Sequence, residues 1–289
     1  MSSNVKQILH WMGSLLALSS IIFVILRLSN YSSQIDFSRF DSLFWLTVTV
    51  YVAIYAVANI MLALAWWYLL NYFETITSRA WAIKTYGLAQ LAKYVPGNIM
   101  HLASRQLMGM ASGIKGWVLA KTSVWEIALI SFTGAFFFIL LLPKFFPGLT
   151  AHFLVIIFVI VIILVMIALK YYADITILCA FGCYFLFLVC SGMIFVGLLV
   201  LINGDIQVTP IQSITLCAAF IVALLVGLVT PGAPAGVGVR EVILIILLAD
   251  LIPESDLLLA ILLSRIVTVG GDICFFMGAS LLSKGQVPS

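Results

Sequence analysis

The stretch SLFWLTVTVYVAIYAVANIMLALAWWYLLNYF, residues 42–73, contains no charged side chain. A helix needs roughly 20 residues to cross a hydrocarbon core of about 30 Å, so this run is long enough to span a membrane. Outward from it the same pattern recurs. Gln7–Leu26 is charge-free between Lys6 and Arg27, and further runs lie at Ile127–Pro143, Phe153–Leu169, Ile175–Gly204 and, within 206–239, at about Ser213–Thr230. The last span runs from about Leu257 to Leu282 and contains Arg265 and Asp272. No small-residue cleavage site of the A-x-A kind follows the first run, which therefore reads as a retained span rather than a secretory signal.

Composition agrees with this reading. Of 289 residues, 64% are hydrophobic and 9% charged, and the mean hydropathy is +1.24. Soluble domains carry about 45–50% apolar and about 25% charged residues, so a water-soluble globular protein is excluded. Outer-membrane barrels alternate apolar and polar residues over strands of about 10, and these runs do not alternate. The expected fold class is all-α: a polytopic helical membrane protein of about 8 transmembrane helices, forming one domain over residues 1–289. Eight crossings take roughly 160 residues and leave only short connections, so an aqueous catalytic domain is not expected. The five cysteines all fall in apolar stretches and imply neither a metal site nor a disulfide.

Short-loop lysines and arginines set the expected orientation. With both termini in the cytoplasm, Arg79, Lys84, Lys115, Lys121, Lys170 and Lys284 fall inside, while Arg27, Arg39 and Lys144 fall outside. The expected location is the cytoplasmic membrane. Val242–Ala249 is too short to cross alone and reads as half of a broken or re-entrant helix.

The few polar residues cluster. Between Thr75 and Trp125 there are six basic residues and no acidic one, in a chain whose net charge is only +3. Such a patch attracts anionic headgroups at about 1 kcal/mol per basic residue, although Arg79 and Lys84 read first as simple topology signals. Within it, Lys93-Tyr94-Val95-Pro96-Gly97-Asn98 breaks an amphipathic helix that starts near Trp81. A second helix is expected from Asn98, its N-cap, placing His101 and Arg105 on one face beside a helix N-terminus that favours anions. A structural Pro-Gly corner carrying surface basics is the competing reading.

A second break, Thr230-Pro231-Gly232-Ala233-Pro234-Ala235-Gly236-Val237-Gly238-Val239-Arg240-Glu241, lies in strongly apolar sequence. Irregular backbone at membrane depth is tolerated only where it is buried in protein or lines a wet cavity, and transporters use such breaks as substrate sites. Tight helix packing would also explain the glycines. Arg105 follows Pro96 by nine residues, as Arg240 follows Pro231, and the two copies are offset by 135. The pair reads as an internal repeat with halves 1–150 and 151–289. Arg265 and Asp272, seven apart, share a helix face and are expected to face inward, with Arg240, Glu241 and Glu126 as candidate partners. A purely structural ion-pair network is the alternative.

The strings Ala-Lys-Tyr-Val-Pro-Gly-Asn (92–98), Pro-Gly-Ala-Pro-Ala-Gly-Val-Gly-Val-Arg-Glu (231–241) and Ser-Arg-Ile-Val-Thr-Val-Gly-Gly-Asp (264–272) resemble the transmembrane region of lysylphosphatidylglycerol synthases and its stand-alone flippase-like relatives. Ala233-Pro234-Ala235 departs from that family's usual Gly-Gly-Leu core. The resemblance implies movement of an anionic or modified phospholipid, or a polyprenyl-linked lipid, in envelope lipid or polysaccharide biosynthesis. With the chain read to Ser289, the synthases' aminoacyl-transferase domain is not expected, and neither is enzymatic activity. Expected headgroup contacts are Lys93, Asn98, His101, Arg105, Arg240 and Arg265. The expected path or ion-pair network is Glu126, Pro231, Gly232, Gly236, Gly238, Glu241 and Asp272.

No nucleotide-binding motif is present, so energy would come from a gradient, the membrane potential or product removal. No cofactor and no nucleic-acid partner are expected; envelope glycosyltransferases or lipid-modifying enzymes are the candidate protein partners. Two other functions compete. Asp36 and Asp41 flank a short external loop, where polyprenyl-phosphate-sugar glycosyltransferases place a catalytic carboxylate. The third reading is a non-transporting membrane partner of a lipid or polysaccharide synthesis complex.

Overall fold

A computed structural model describes residues 40–94, 99–146, 148–202, 208–230 and 238–282, and all regular structure among them is helical. The first apolar run, Gln7–Leu26, lies outside the described residues. Six of the described helices are long and apolar enough to cross a membrane: α1 (Ser42–Tyr72), α4 (Gly116–Phe145), α5 (Ala151–Tyr172), α6 (Ile175–Ile202), α7 (Pro210–Val229) and α9 (Glu254–Leu281). Three are short: α2 (Arg79–Gln90), α3 (Met100–Ala111) and α8 (Val239–Leu248). The protein is thus a helical, multi-pass membrane protein; of the eight crossings expected, the first lies outside the described residues, among which six helices have the length and composition to cross.

Each long helix matches an expected span, charge-free except for the last, which carries Arg265 and Asp272, and one start is shifted. α4 starts at Gly116, eleven residues before the expected Ile127, because two charges are carried inside it. Lys121 lies over the rings of Phe73 and Trp117, and Glu126 is buried against Arg105. Neutralised or snorkelling charges do not end a helix. α7 begins where its caps dictate: Thr209 and Gln212 form a capping box, and Pro210 occupies the first turn. In the short connection before α6, Asp174 accepts from the amide and hydroxyl of Thr176, which holds its carboxyl below the usual range.

The order of the helices places two hairpins opposite one another. α1 and α6 run antiparallel, since Tyr51 meets Gly197 and Tyr55 meets Phe187. The end of α1 meets the start of α4 through Tyr72, Phe73 and Trp125. At this first face α2 leads inward from its Ser78 cap, passes into a 3₁₀ turn at Leu91–Tyr94, and α3 returns. The indole of Trp81 donates to Ser112 at 3.3 Å, which puts the start of α2 beside the end of α3. The second hairpin enters from the other face, where α4 ends: α7 leads in and α8 returns, and Lys144 reaches Leu247 O and Asp250 at 2.9 Å.

Small residues allow the closest crossings. At Gly271 of α9 an added Cβ would stand 2.7 Å from Tyr55, 3.0 Å from Val52 O and 3.1 Å from Ala56 N of α1. Backbone cannot move aside as a side-chain tip can. Gly271→Ala is expected to lower the detergent Tm, at a cost of about 1–3 kcal/mol from overpacking. Gly278→Ala, whose Cβ would meet open space, is expected to leave Tm unchanged or raise it. Differential scanning fluorimetry of the two variants checks the pair; equal Tm values would contradict the packing described.

Candidate functional site

Between the tips of the two hairpins lies a cavity of about 130 Å3. The first hairpin contributes Lys93, Tyr94 and His101, the second contributes Leu224, Leu228 and Arg240, and α9 contributes Arg265 and Thr268. The remaining wall is largely apolar, with Leu62, Ile127, Ile130 and Phe187. Lys93, His101, Arg240, Arg265 and Glu126, dispersed over 173 positions of sequence, therefore line one chamber.

Three ion pairs surround it, and each ties a hairpin to a long helix. Asp272 of α9 is fully buried. One of its oxygens accepts from Asn59 at 3.1 Å and Gln90 at 3.0 Å; the other accepts from the Tyr94 hydroxyl and lies 2.7 Å from the Lys93 ammonium. Gln90 also donates to Asn59, at 3.0 Å. In the second pair, Arg105 of α3 lies 2.7 Å from Glu126 of α4, which also accepts from Tyr86 at 2.9 Å. The Arg105 guanidinium stacks 4.3 Å from the Tyr86 ring centre and 5.4 Å from that of Trp66. In the third, Glu241 of α8 receives Nε and Nη2 of Arg265 on one oxygen, at 2.9 and 2.8 Å. The other Glu241 oxygen accepts from the Gly238 amide at 2.6 Å.

Gly238 is the N-cap of α8 and has φ +87°. That left-handed conformation suits glycine, and it lets the chain leave the break and enter the helix within one residue. Glu241, three residues on, then caps the helix and anchors it to α9 in a single carboxylate.

Arg240 stands apart. It is 8% exposed, and its guanidinium lies 5.0 Å from the ring centre of Phe220. Among the described residues it has no carboxylate within ion-pair distance. Nδ1 of His101 is likewise buried without a hydrogen-bond partner among them. A buried unpaired charge is costly, and an oxyanion bound in the chamber would offset that cost.

Several sequence expectations change here. Arg105 is not part of the cavity wall; its charge is committed to Glu126. Asp272 pairs with Lys93, which was not among the partners expected for it, whereas Arg265 does take Glu241. α3 begins at Met100 with Ile99 as an N-cap that makes no side-chain bond, not at the expected Asn98. Asn98, Pro231, Gly232 and Gly236 lie outside the described residues, as does Asp36. Asp41 is the N-cap of α1 and accepts from the Phe44 amide at 2.8 Å, an ordinary capping role. Among the described residues no group of three or more His, Cys, Asp or Glu side chains could hold a metal. The sequence reading missed Asn59, Gln90, Tyr86 and Tyr94. Asn59 carried a signal: it is an amide inside an uncharged 31-residue helix, where an unpaired polar group is expensive.

No family model matches the chain, and no curated protein or solved structure matches it. Fold and site together define a helical membrane protein with a cation-lined chamber held between two opposed hairpins.

Asp272 permits a stability test. Asp272→Asn leaves Lys93 without its counter-charge, which for a buried pair costs about 3–5 kcal/mol. Lys93 keeps 20% side-chain exposure, so the low end of that range is expected. Adding Lys93→Met should recover much of the loss, so the two changes should be strongly non-additive in detergent denaturation. Simple additivity would show that the pair is not coupled.

Proposed function

We propose that the protein is a flippase-like transporter that moves a lipid with an anionic headgroup across the cytoplasmic membrane. The observation that carries this reading is Arg240, a buried cation without a carboxylate partner among the described residues, facing a chamber whose remaining wall is largely apolar. A headgroup oxyanion would take the guanidinium, Lys93 and His101 would add donors, and Leu62, Ile127 and Phe187 would shield the acyl or prenyl chain where it leaves the headgroup. Opposed broken helices meeting near mid-membrane are a recurrent transporter arrangement, and the two hairpins read as an inverted repeat. The resemblance of the 92–98, 231–241 and 264–272 strings to the flippase-like region of lysylphosphatidylglycerol synthases supports the same reading.

The first face carries Arg79, Lys84, Lys115, Lys121 and Lys170 near helix ends, while Lys144 lies at the opposite face beside Asp250. The positive-inside rule makes the first face cytoplasmic. A headgroup arriving there meets Lys93 and His101 before Arg240. Envelope glycosyltransferases or lipid-modifying enzymes would supply or consume the lipid. Asp41, occupied as a helix cap, does not favour a sugar-transferring reading.

The test is a reconstituted scramblase assay. In liposomes the wild type is expected to accelerate transbilayer movement of fluorescent phosphatidylglycerol over protein-free vesicles, and to leave phosphatidylcholine unaffected. Arg240→Ala should slow the anionic lipid by about tenfold or more, with Arg240→Lys in between. No acceleration by the wild type, or an Arg240→Ala rate equal to wild type, would overturn the reading.

A further inference from the structure

A second cavity, of about 380 Å3, opens between α8 and α9. It is lined by Glu241, Ser255, Leu258, Leu259, Leu262 and Arg265. Ser255 lies in the first turn of α9, so this cavity faces the membrane side opposite to the basic face. Arg265 lines both cavities, and Glu241, which holds it, lines only the outer one. The Glu241–Arg265 pair at 2.8 Å therefore stands between the two chambers.

We propose that the outer cavity is a second station for the phosphate oxyanion of the transported headgroup, reached when that oxyanion displaces the Glu241 carboxylate from Arg265. The proposal rests on the transporter reading above. Both anions are oxygen acceptors of the kind a guanidinium binds in a fork, so the exchange trades one charge-assisted bond for another of similar strength. Arg240 and Arg265 line the same inner chamber, so the anion passes from one guanidinium to the next without crossing a purely apolar gap. Glu241 does not lose its place when displaced, because its other oxygen holds the Gly238 amide at the helix start. The carboxylate can therefore return to Arg265 after the anion has left. Leu258 and Leu262 give the lipid tail an apolar wall beside the outer station.

The wild type, Leu262→Trp and Leu258→Cys are compared in two measurements. Calorimetry in detergent reads binding of short-chain dihexanoyl phosphatidate and of inorganic phosphate. Proteoliposomes read flipping of fluorescent phosphatidate and, in a parallel arm, uptake of labelled inorganic phosphate, and the arm that the wild type carries identifies lipid or free ion as the source. Leu262→Trp fills the outer cavity and should slow movement by about tenfold while binding stays within about twofold. Leu258→Cys, folded normally and then labelled with a bulky, charged maleimide from the outer side, should show the same block, with labelled wild type as the control. Glu241→Gln, which weakens the hold on Arg265, should tighten phosphate binding. Movement unaffected by both the tryptophan and the labelled cysteine, with binding intact, would overturn the second station. Absence of binding and movement in the wild type would instead remove the transporter reading, and this proposal with it.

Discussion

One buried carboxylate organises the molecule. Asp272 sits at zero exposure in α9, and its donors come from α1, from α2 and from the 3₁₀ turn at the tip of the first hairpin. An ionised carboxylate in an apolar bundle is tolerable only when its lone pairs are filled and its charge is balanced. Asn59, Gln90, Tyr94 and Lys93 meet both conditions. In doing so they fix the depth to which the hairpin tip penetrates, and so the place of Lys93 at the chamber wall. The hub depends in turn on Gly271: the absence of a Cβ one residue earlier brings α9 against the α1 backbone, within reach of Asn59.

The other two ion pairs extend the same logic. Glu126 draws Arg105 and Tyr86 to α4 and closes the first hairpin against the bundle. Glu241 joins the second hairpin to α9 and caps its returning helix. Three carboxylates thus hold three cations, and each pair links a hairpin to a long helix. These pairs are strongly coupled to structure because removing one partner strands the other in a low-dielectric interior. Arg240 is the contrast: its helix is held by its neighbour Glu241, which leaves its own guanidinium turned toward the chamber. Adjacent residues at a helix start point in different directions, so one can serve as the anchor while the other is presented to a ligand.

Much of this arrangement is legible in the chain itself. Uncharged runs of helical length marked five of the six long helices, and an apolar run interrupted by Arg265 and Asp272 marked the sixth, because bilayer thickness sets a length that composition must satisfy. The Pro-Gly strings pointed to two breaks, since neither residue continues a helix and lipid penalises the freed backbone groups; the Pro-Gly pairs themselves lie outside the described residues, between Tyr94 and α3 and between α7 and α8. The rarity of charge in apolar sequence singled out Lys93, Glu126, Arg240, Glu241, Arg265 and Asp272, each of which lies at the chamber or in its ion pairs. The start of α4 was misplaced because a charge ends an apolar run in sequence but not in space, where Arg105 neutralises Glu126 and aromatic rings receive Lys121.

Glu241 was a candidate partner for Arg265 from the sequence, but the other partnerships were beyond it. Arg105 and Arg240 occupy matching places after their Pro-Gly strings, yet one is held by Glu126 and the other faces the chamber. Asp272 turned to Lys93, 179 positions away, through a helix crossing that no local pattern encodes. The sequence by itself determined which residues must be shielded from lipid, because the cost of an exposed charge is a property of the residue and the solvent. Only the tertiary structure decided which charges cancel and which remains available, because an ion pair depends on distances of a few ångström between elements far apart in the chain.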